Sequence, residues 1–248
     1  MPKAPIELLD LRDLDRPDLL NAFIAIYQAS FPDPSEREDP AQWSERLHRT
    51  FPSPQPRTHL LIALDTQAQT TPAVRGGIVF EYYPASRCGL LTYLAVKPVG
   101  RRRGLGRRLV KAATELLKQD AEDQESALRA VFAEAEDPAK VPARGAAMPP
   151  HTRMTALTRM GALWIDIPYV QPRLQGGSGP CRHLLLLAFY HDGTQPDRIA
   201  GAVVREFLHE FYRALGIQRP ETDADYAEAS RQLDGMLPLK PYPPTTTE

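Results

Sequence analysis

Apolar and polar positions along the chain follow two periods. Residues 6–11 read as a strand, and residues 17–31 as a helix whose Leu19, Leu20, Phe23, Ile26 and Tyr27 share one face. Residues 41–51 read as a second, short helix. Strands follow at 59–64, 76–83 and 90–96, rich in aliphatic and aromatic residues, the last two as a hairpin pair. From 104 to 119, Leu105, Leu109, Ala112 and Leu116 step by four, three and four, which places them on one side of a helix. A strand at 128–135 returns after a polar turn, and strand, helix, strand in succession implies a right-handed crossover with parallel pairing. Residues 151–160 form a short helix stopped by Gly161 at the C′ position. Residues 162–170 and 183–190 read as a final hairpin across the glycine-rich stretch 176–180. Residues 197–215 read as an amphipathic helix with Ile199, Val203, Phe207 and Phe211 in one stripe, followed by a second helix near 223–236. The fold class is mixed α/β with a C-terminal helical extension.

Composition narrows the function classes. The 248 residues carry 30 basic and 31 acidic side chains, a formal charge of −1 that gives no general nucleic-acid or anionic-membrane surface. Two cysteines, Cys88 and Cys181, form no C-x-x-C pair, so neither a disulfide framework nor a thiolate zinc site is expected, and the reducing cytoplasm is the default compartment. The N-terminal stretch places acids where a signal peptide needs an apolar core, and the run 184–189 is too short to cross a bilayer. Six histidines show no i, i+4 pair, and no metal site is expected. The 25 prolines, at roughly twice the usual share, mark the loops.

The most informative stretch is LAVKPVGRRRGLGRRL at 94–109, a strand that stops at Pro98, crosses an arginine-glycine turn and opens a helix. Unsatisfied N–H groups and the macrodipole make such a helix start attractive to phosphate. Gly104 and Gly106 remove Cβ atoms there, and Arg101, Arg102, Arg103, Arg107 and Arg108 supply donors. No Gly-Lys-Ser or Gly-Lys-Thr occurs, and Leu109 stands where a dinucleotide fingerprint needs its third glycine.

Val96, Pro98, Arg101, Gly104 and Gly106 match every fixed position of V-x-P-x-x-[QR]-x-x-G-x-[GA]. On these residues the chain resembles the GNAT superfamily, the Gcn5-related N-acetyltransferases. The resemblance implies a GNAT-like, centrally splayed sheet flanked by helices, with residues 1–195 as the acyl-CoA-binding catalytic domain. Residues 196–248 would be a helical extension, packed on that domain or buried in a homodimer interface. It implies acetyl-CoA as cosubstrate, its pyrophosphate held by N–H groups of Arg101, Arg102, Arg103, Gly104, Leu105 and Gly106. Its pantetheine would pair with the backbone of Leu94 and Val96 like an added strand. The acceptor is then a primary amine of a small molecule or peptide, with no nucleic acid and no membrane as partner, and the Val96 N–H is the oxyanion candidate.

Two departures from the family pattern matter. Leu90 stands where histone-acetylating members carry a glutamate, and Leu157 stands where many members carry a tyrosine four residues before the glycine closing the next helix. Glu81 on one strand, and Glu134 or Glu136 on one face of a following strand, are the carboxylates that could serve as proton acceptor, with Glu134 favoured over Glu81. Tyr93 or Tyr169, or solvent, could protonate the leaving thiolate. The two missing residues also keep open a non-catalytic acyl-CoA-binding module.

Overall fold

The computed structural model describes residues 6–12, 14–34, 37–50, 53, 55–67, 73–98, 104–141, 148–174 and 179–242. Strand β1 (Ile6–Asp10) leads into helices α1 (Pro17–Ser30) and α2 (Ala41–Leu47), then β2 (Arg57–Asp65), β3 (Val74–Tyr83) and β4 (Cys88–Val96). Helix α3 (Leu105–Glu122) crosses to β5 (Ala130–Glu136), and α4 (Pro150–Met160), β6 (Leu163–Ile165) and β7 (Leu184–His191) follow. The chain ends with β8 (Arg198–Ala200), α5 (Gly201–Ala214), α6 (Ala224–Ser230) and β9 (Met236–Lys240). The described strands form one nine-stranded sheet in the order β1-β2-β3-β4-β5-β7-β6-β9-β8. Every neighbouring pair is antiparallel except β4 and β5, which run parallel.

Two irregularities open the middle of this sheet. The β4–β5 ladder runs only from Cys88↔Ala130 to Leu91↔Ala133, after which both strands continue without each other. Between β3 and β4 the register jumps from Val79↔Tyr93 to Phe80↔Leu91, so Thr92 is an extra, bulged residue where the strands part. A bulge bends its strand and increases its twist, which carries the end of β4 away from β5.

Helices cover both faces. Helix α3 packs through Leu105, Leu109, Ala113 and Leu117 against Ile78, Phe80 and Val131. Its buried face thus steps by four, and Ala112 and Leu116, expected in the stripe, lie at its edge. On the opposite face α1 and α2 bury Phe23, Tyr27 and Trp43 against Leu60, Val79 and Tyr93. Beside them α5 buries Val203, Phe207 and Phe211 against Tyr83, Leu90 and Phe132. Of the stripe read from 197–215, Ile199 belongs to β8, because the helix begins only at Gly201. A Cβ at Gly201 would lie 2.3 Å from the Leu233 carbonyl oxygen, so this close crossing of backbones requires glycine. The helix expected near 223–236 ends at Ser230, and the residues after it enter β9, whose central Pro238 hides the strand from a propensity reading. The strand expected at 162–170 shortens to Leu163–Ile165, followed by an isolated bridge between Gln171 and Cys181.

One buried charge cluster ties the edge of the sheet to α3. The His59 ring nitrogens lie 2.7 Å from Asp10 Oδ2 and 2.8 Å from Asp120 Oδ2, and Arg57 pairs with Asp120 at 2.8 Å. An imidazole donates from both nitrogens only when protonated. Burial pushes the His59 pKa down, but the hydrogen bonds and charges of the two aspartates outweigh it and hold it above its ordinary value. A folded-state value above the unfolded one contributes stability that is complete below about pH 6.5 and is lost as pH rises through the raised value. Melting temperature is therefore expected to fall on the alkaline side, and less steeply in Asp10→Asn. A thermal melt series from pH 6 to 9 checks this, and identical slopes would place the titration elsewhere.

Candidate active site

The splay and the helices around it shape a cleft of about 850 Å³. Its floor is a row of side chains from three adjacent strands: Glu81 of β3, Leu90 and Thr92 of β4, and Glu134 of β5. Glu134 is the first β5 residue beyond the last β4–β5 pair, opposite the bulge. Phe31 and Tyr93 line one wall, and Phe211 of α5 lines the other.

Glu134 is tightly held. Its Oε1 accepts from the Tyr169 hydroxyl and its Oε2 from Gln171 Nε2 at 2.8 Å. Burial pushes its pKa up, the two hydrogen bonds pull it back in part, and the negative charge of Glu81 adds to the rise, giving a value of about 7. No described cation pairs with it. Glu81, with a side chain 13% exposed, accepts from the Tyr83 hydroxyl at 2.7 Å and meets Arg46 at 3.4 Å. Its pKa is also raised, by burial first and then by the nearby charge of Glu38, against the pull of Arg46. Arg46 pairs with Glu38 at 2.7 Å, and Glu136 is neutralised by Arg153 at 2.6 Å. Glu134 is thus the one floor carboxylate in this set without a guanidinium, and it is poised to exchange a proton near neutral pH.

Tyr93 reaches the cleft wall, but its hydroxyl accepts the Glu38 N–H at 3.2 Å and its ring is packed among Tyr27, Phe31 and Trp43. Burial, followed by the charge of Glu38, drives its pKa far up, which makes it a poor proton donor. Tyr169 is spent on Glu134 and its pKa is likewise driven up by burial and by that carboxylate. Leu157 lies partly buried against the α4 core, with Gly161 closing the helix in the left-handed region at φ 112°.

Backbone geometry organises the other half of the site. Lys97 donates to the Arg75 carbonyl at 2.9 Å, so by the alternation of an antiparallel ladder Leu94 and Val96 turn their backbone groups away from β3, toward the splay. Helix α3 begins after Gly104, at φ 80°, with no side-chain cap among the described residues and open space where a Cβ would project. Leu105 is buried under the first turn. A Cβ on Gly106 would sit 3.1 Å from Met160 Sδ, which gives this glycine a packing role against α4. Arg107 donates to the Arg159 carbonyl and Arg108 to the Ile6 carbonyl at 3.0 Å, so both take part in contacts within the fold. Arg101, Arg102 and Arg103 lie outside the described residues. Sequence reasoning missed Glu38, Arg46 and Gln171. Arg46 and Gln171 meet the two floor carboxylates across 35 and 37 residues, which no local spacing signals, and Glu38 enters through its pairing with Arg46.

The family model for the GNAT acetyltransferases matches residues 19–141, a span that contains the splay, the bulge and the glycine turn. The chain belongs to the GNAT family. A GNAT-family protein from Bacteroides thetaiotaomicron shares the fold, with 18% identity, 85% of this chain and 98% of that one covered, and a TM-score of 0.53. Weaker likenesses include the NatC complex bound to Gag peptide and CoA (18% identity, 74% and 97% covered, TM-score 0.47). The ribosomal-protein-S18-alanine N-acetyltransferase from Escherichia coli is another (13% identity, 77% and 98% covered, TM-score 0.43). Comparison with curated proteins gives no match. No described helix is long and apolar enough to cross a membrane, and no described group of three or more His, Cys, Asp or Glu residues could hold a metal ion.

Proposed function

We propose that this protein is an N-acetyltransferase that moves an acetyl group from acetyl-CoA to a primary amine of a small molecule or peptide. The observation that carries the reading is Glu134, a partly buried carboxylate with a pKa of about 7 and no paired cation among the described residues, at the point where β4 and β5 part. The residues present also fit the cosubstrate: a helix start after Gly104 with no side-chain cap and open space over that glycine among the described residues, and the backbone of Leu94 and Val96 turned into the splay.

Acetyl-CoA would supply a thioester carbon to which the amine nitrogen bonds as the carbon–sulfur bond breaks. Leu94 and Val96 would pair with the pantetheine amides, and a backbone N–H of the splayed strand nearer Glu134 would aim at the developing oxyanion. The first-turn N–H groups after Gly104, with Arg101, Arg102 and Arg103, would hold the pyrophosphate. Glu134 holds the incoming ammonium and takes its proton, because an alkylammonium with a pKa near 10 is almost wholly protonated at neutral pH. Glu81 keeps the floor negative and favours the same cation. With Tyr93 and Tyr169 both engaged, a solvent proton meets the leaving thiolate.

Leu90 and Leu157 favour a second reading, an acyl-CoA-binding module without turnover. Incubation with acetyl-CoA and a panel of primary amines separates the two. Amine-dependent thiol release with an acetylated product is expected, whereas thermal protection by acetyl-CoA without thiol release would select the module. Gly104→Val tests the cosubstrate site. A branched residue is strained at φ 80° by about 1–2 kcal/mol and fills the open space above the helix start. Acetyl-CoA affinity, read by isothermal titration, is expected to fall by about tenfold or more, equivalent to the 1.4 kcal/mol of one decade. An unchanged affinity would put the phosphates elsewhere.

A further inference from the structure

Thr92 is the bulged residue of β4, set where the sheet opens and across from Glu134. It lines the cleft and is partly buried, yet its Oγ1 is shielded from solvent and has no hydrogen-bond partner among the described residues. A sheltered hydroxyl without a partner destabilises a fold, and an orphan group in a cleft is the mark of a position completed by a ligand. The bulge explains the side chain's direction. With Tyr93 and Ala95 packed on the α1 side and Leu91 on the α3 side, the extra residue puts Thr92 beside Leu90, facing the cleft.

Its place along β4 says which ligand atoms it meets. Helix α3 and its Gly104 start lie on one face of the sheet, whereas Glu134 and the cleft lie on the other. A ligand held at the helix start and reacting at Glu134 must pass between β4 and β5, and the gap opens at Thr92. Val96 and Leu94 turn backbone groups to the gap at two-residue intervals, and the bulge that follows breaks this alternation and brings the Thr92 side chain to the cleft face where the gap opens. We infer that the Thr92 hydroxyl donates a hydrogen bond to the thioester end of acetyl-CoA and thereby positions the acyl group beside Glu134. This contact rests on the acetyl-CoA reading given above and adds a side-chain donor to the backbone N–H groups.

The test is a binding comparison that needs no turnover. Isothermal titration measures acetyl-CoA and CoA against wild type, Thr92→Val and Thr92→Ser, with melts of each ligand-free protein. Valine keeps the shape and removes the hydroxyl, so the ligand-free variant should melt at or above the wild-type temperature. It should bind acetyl-CoA roughly five- to tenfold more weakly and CoA as the wild type does. Serine restores the acetyl-CoA affinity. Unchanged acetyl-CoA affinity in Thr92→Val overturns the contact, and equal weakening of both ligands overturns it too, since the thioester would then not be what the hydroxyl recognises. Wild-type protein that binds neither ligand refutes the cosubstrate reading itself and the contact with it.

Discussion

Replacing Glu134 by glutamine is expected to lower turnover by about 10²–10⁴-fold while leaving acetyl-CoA affinity unchanged. Glutamine keeps the shape of the side chain and can still meet Tyr169, but it can neither carry the negative charge nor accept the amine proton. The fold should not suffer. A carboxyl group whose pKa rises from 4.5 to about 7 on folding costs the native state stability as pH climbs through that interval, because its charged form is disfavoured there. Glu134→Gln removes this cost, so at pH 8 it should melt no lower than the wild type. Steady-state kinetics with saturating acetyl-CoA, run beside Glu81→Gln, assigns the roles. A rise in the Michaelis constant for the amine with turnover preserved would make Glu134 a binding group only. Wild-type behaviour would remove it from the site.

Truncating Phe207 to alanine is expected to destabilise the protein by about 3–5 kcal/mol, the range for buried aromatics. The ring is fully buried, stacked on Phe132 at 4.5 Å between centroids, with Tyr83 edge-on at 5.4 Å and Phe211 at 5.7 Å. Helix α5 thus shares one apolar cluster with β3, β4 and β5, and Tyr83 in that cluster is also the residue that donates to Glu81. We propose that residues 196–248 are packed on the preceding domain as part of one cooperative unit. At roughly 2–4 °C per kcal/mol for a chain of this size, the melting temperature should drop by about 6–20 °C in a single transition. Calorimetry that instead splits into two transitions, with only the lower one moved, would make the C-terminal segment an independent unit.

Periodicity and spacing carried the core of the fold. The apolar face of α1, the order of β2 to β5 around α3 and the Gly161 stop are all visible locally, because each depends on residues within a few positions of one another. The glycine turn at 104–106 was legible for the same reason. Strands β8 and β9 were not, since three- and five-residue segments, one with a central proline, acquire their strand character from pairing with distant partners. The bulge at Thr92 is likewise a property of two strands in register, invisible in either alone. Glu134 could be named from its place on a strand. What distinguishes it from Glu136 is that Arg153 neutralises one and no described cation neutralises the other, and Arg153 comes from a helix 17 residues further on.

The measurement that bears most directly on the central claim is the pH dependence of kcat/KM for an amine whose own pKa is 10 or above, in wild type and in Glu134→Gln. With Glu134 as the proton acceptor, wild-type kcat/KM should rise about tenfold per pH unit below pH 7 and bend near that value, and the bend should vanish in the variant. A wild-type profile without an inflection near 7, or the same inflection retained in Glu134→Gln, would contradict the account.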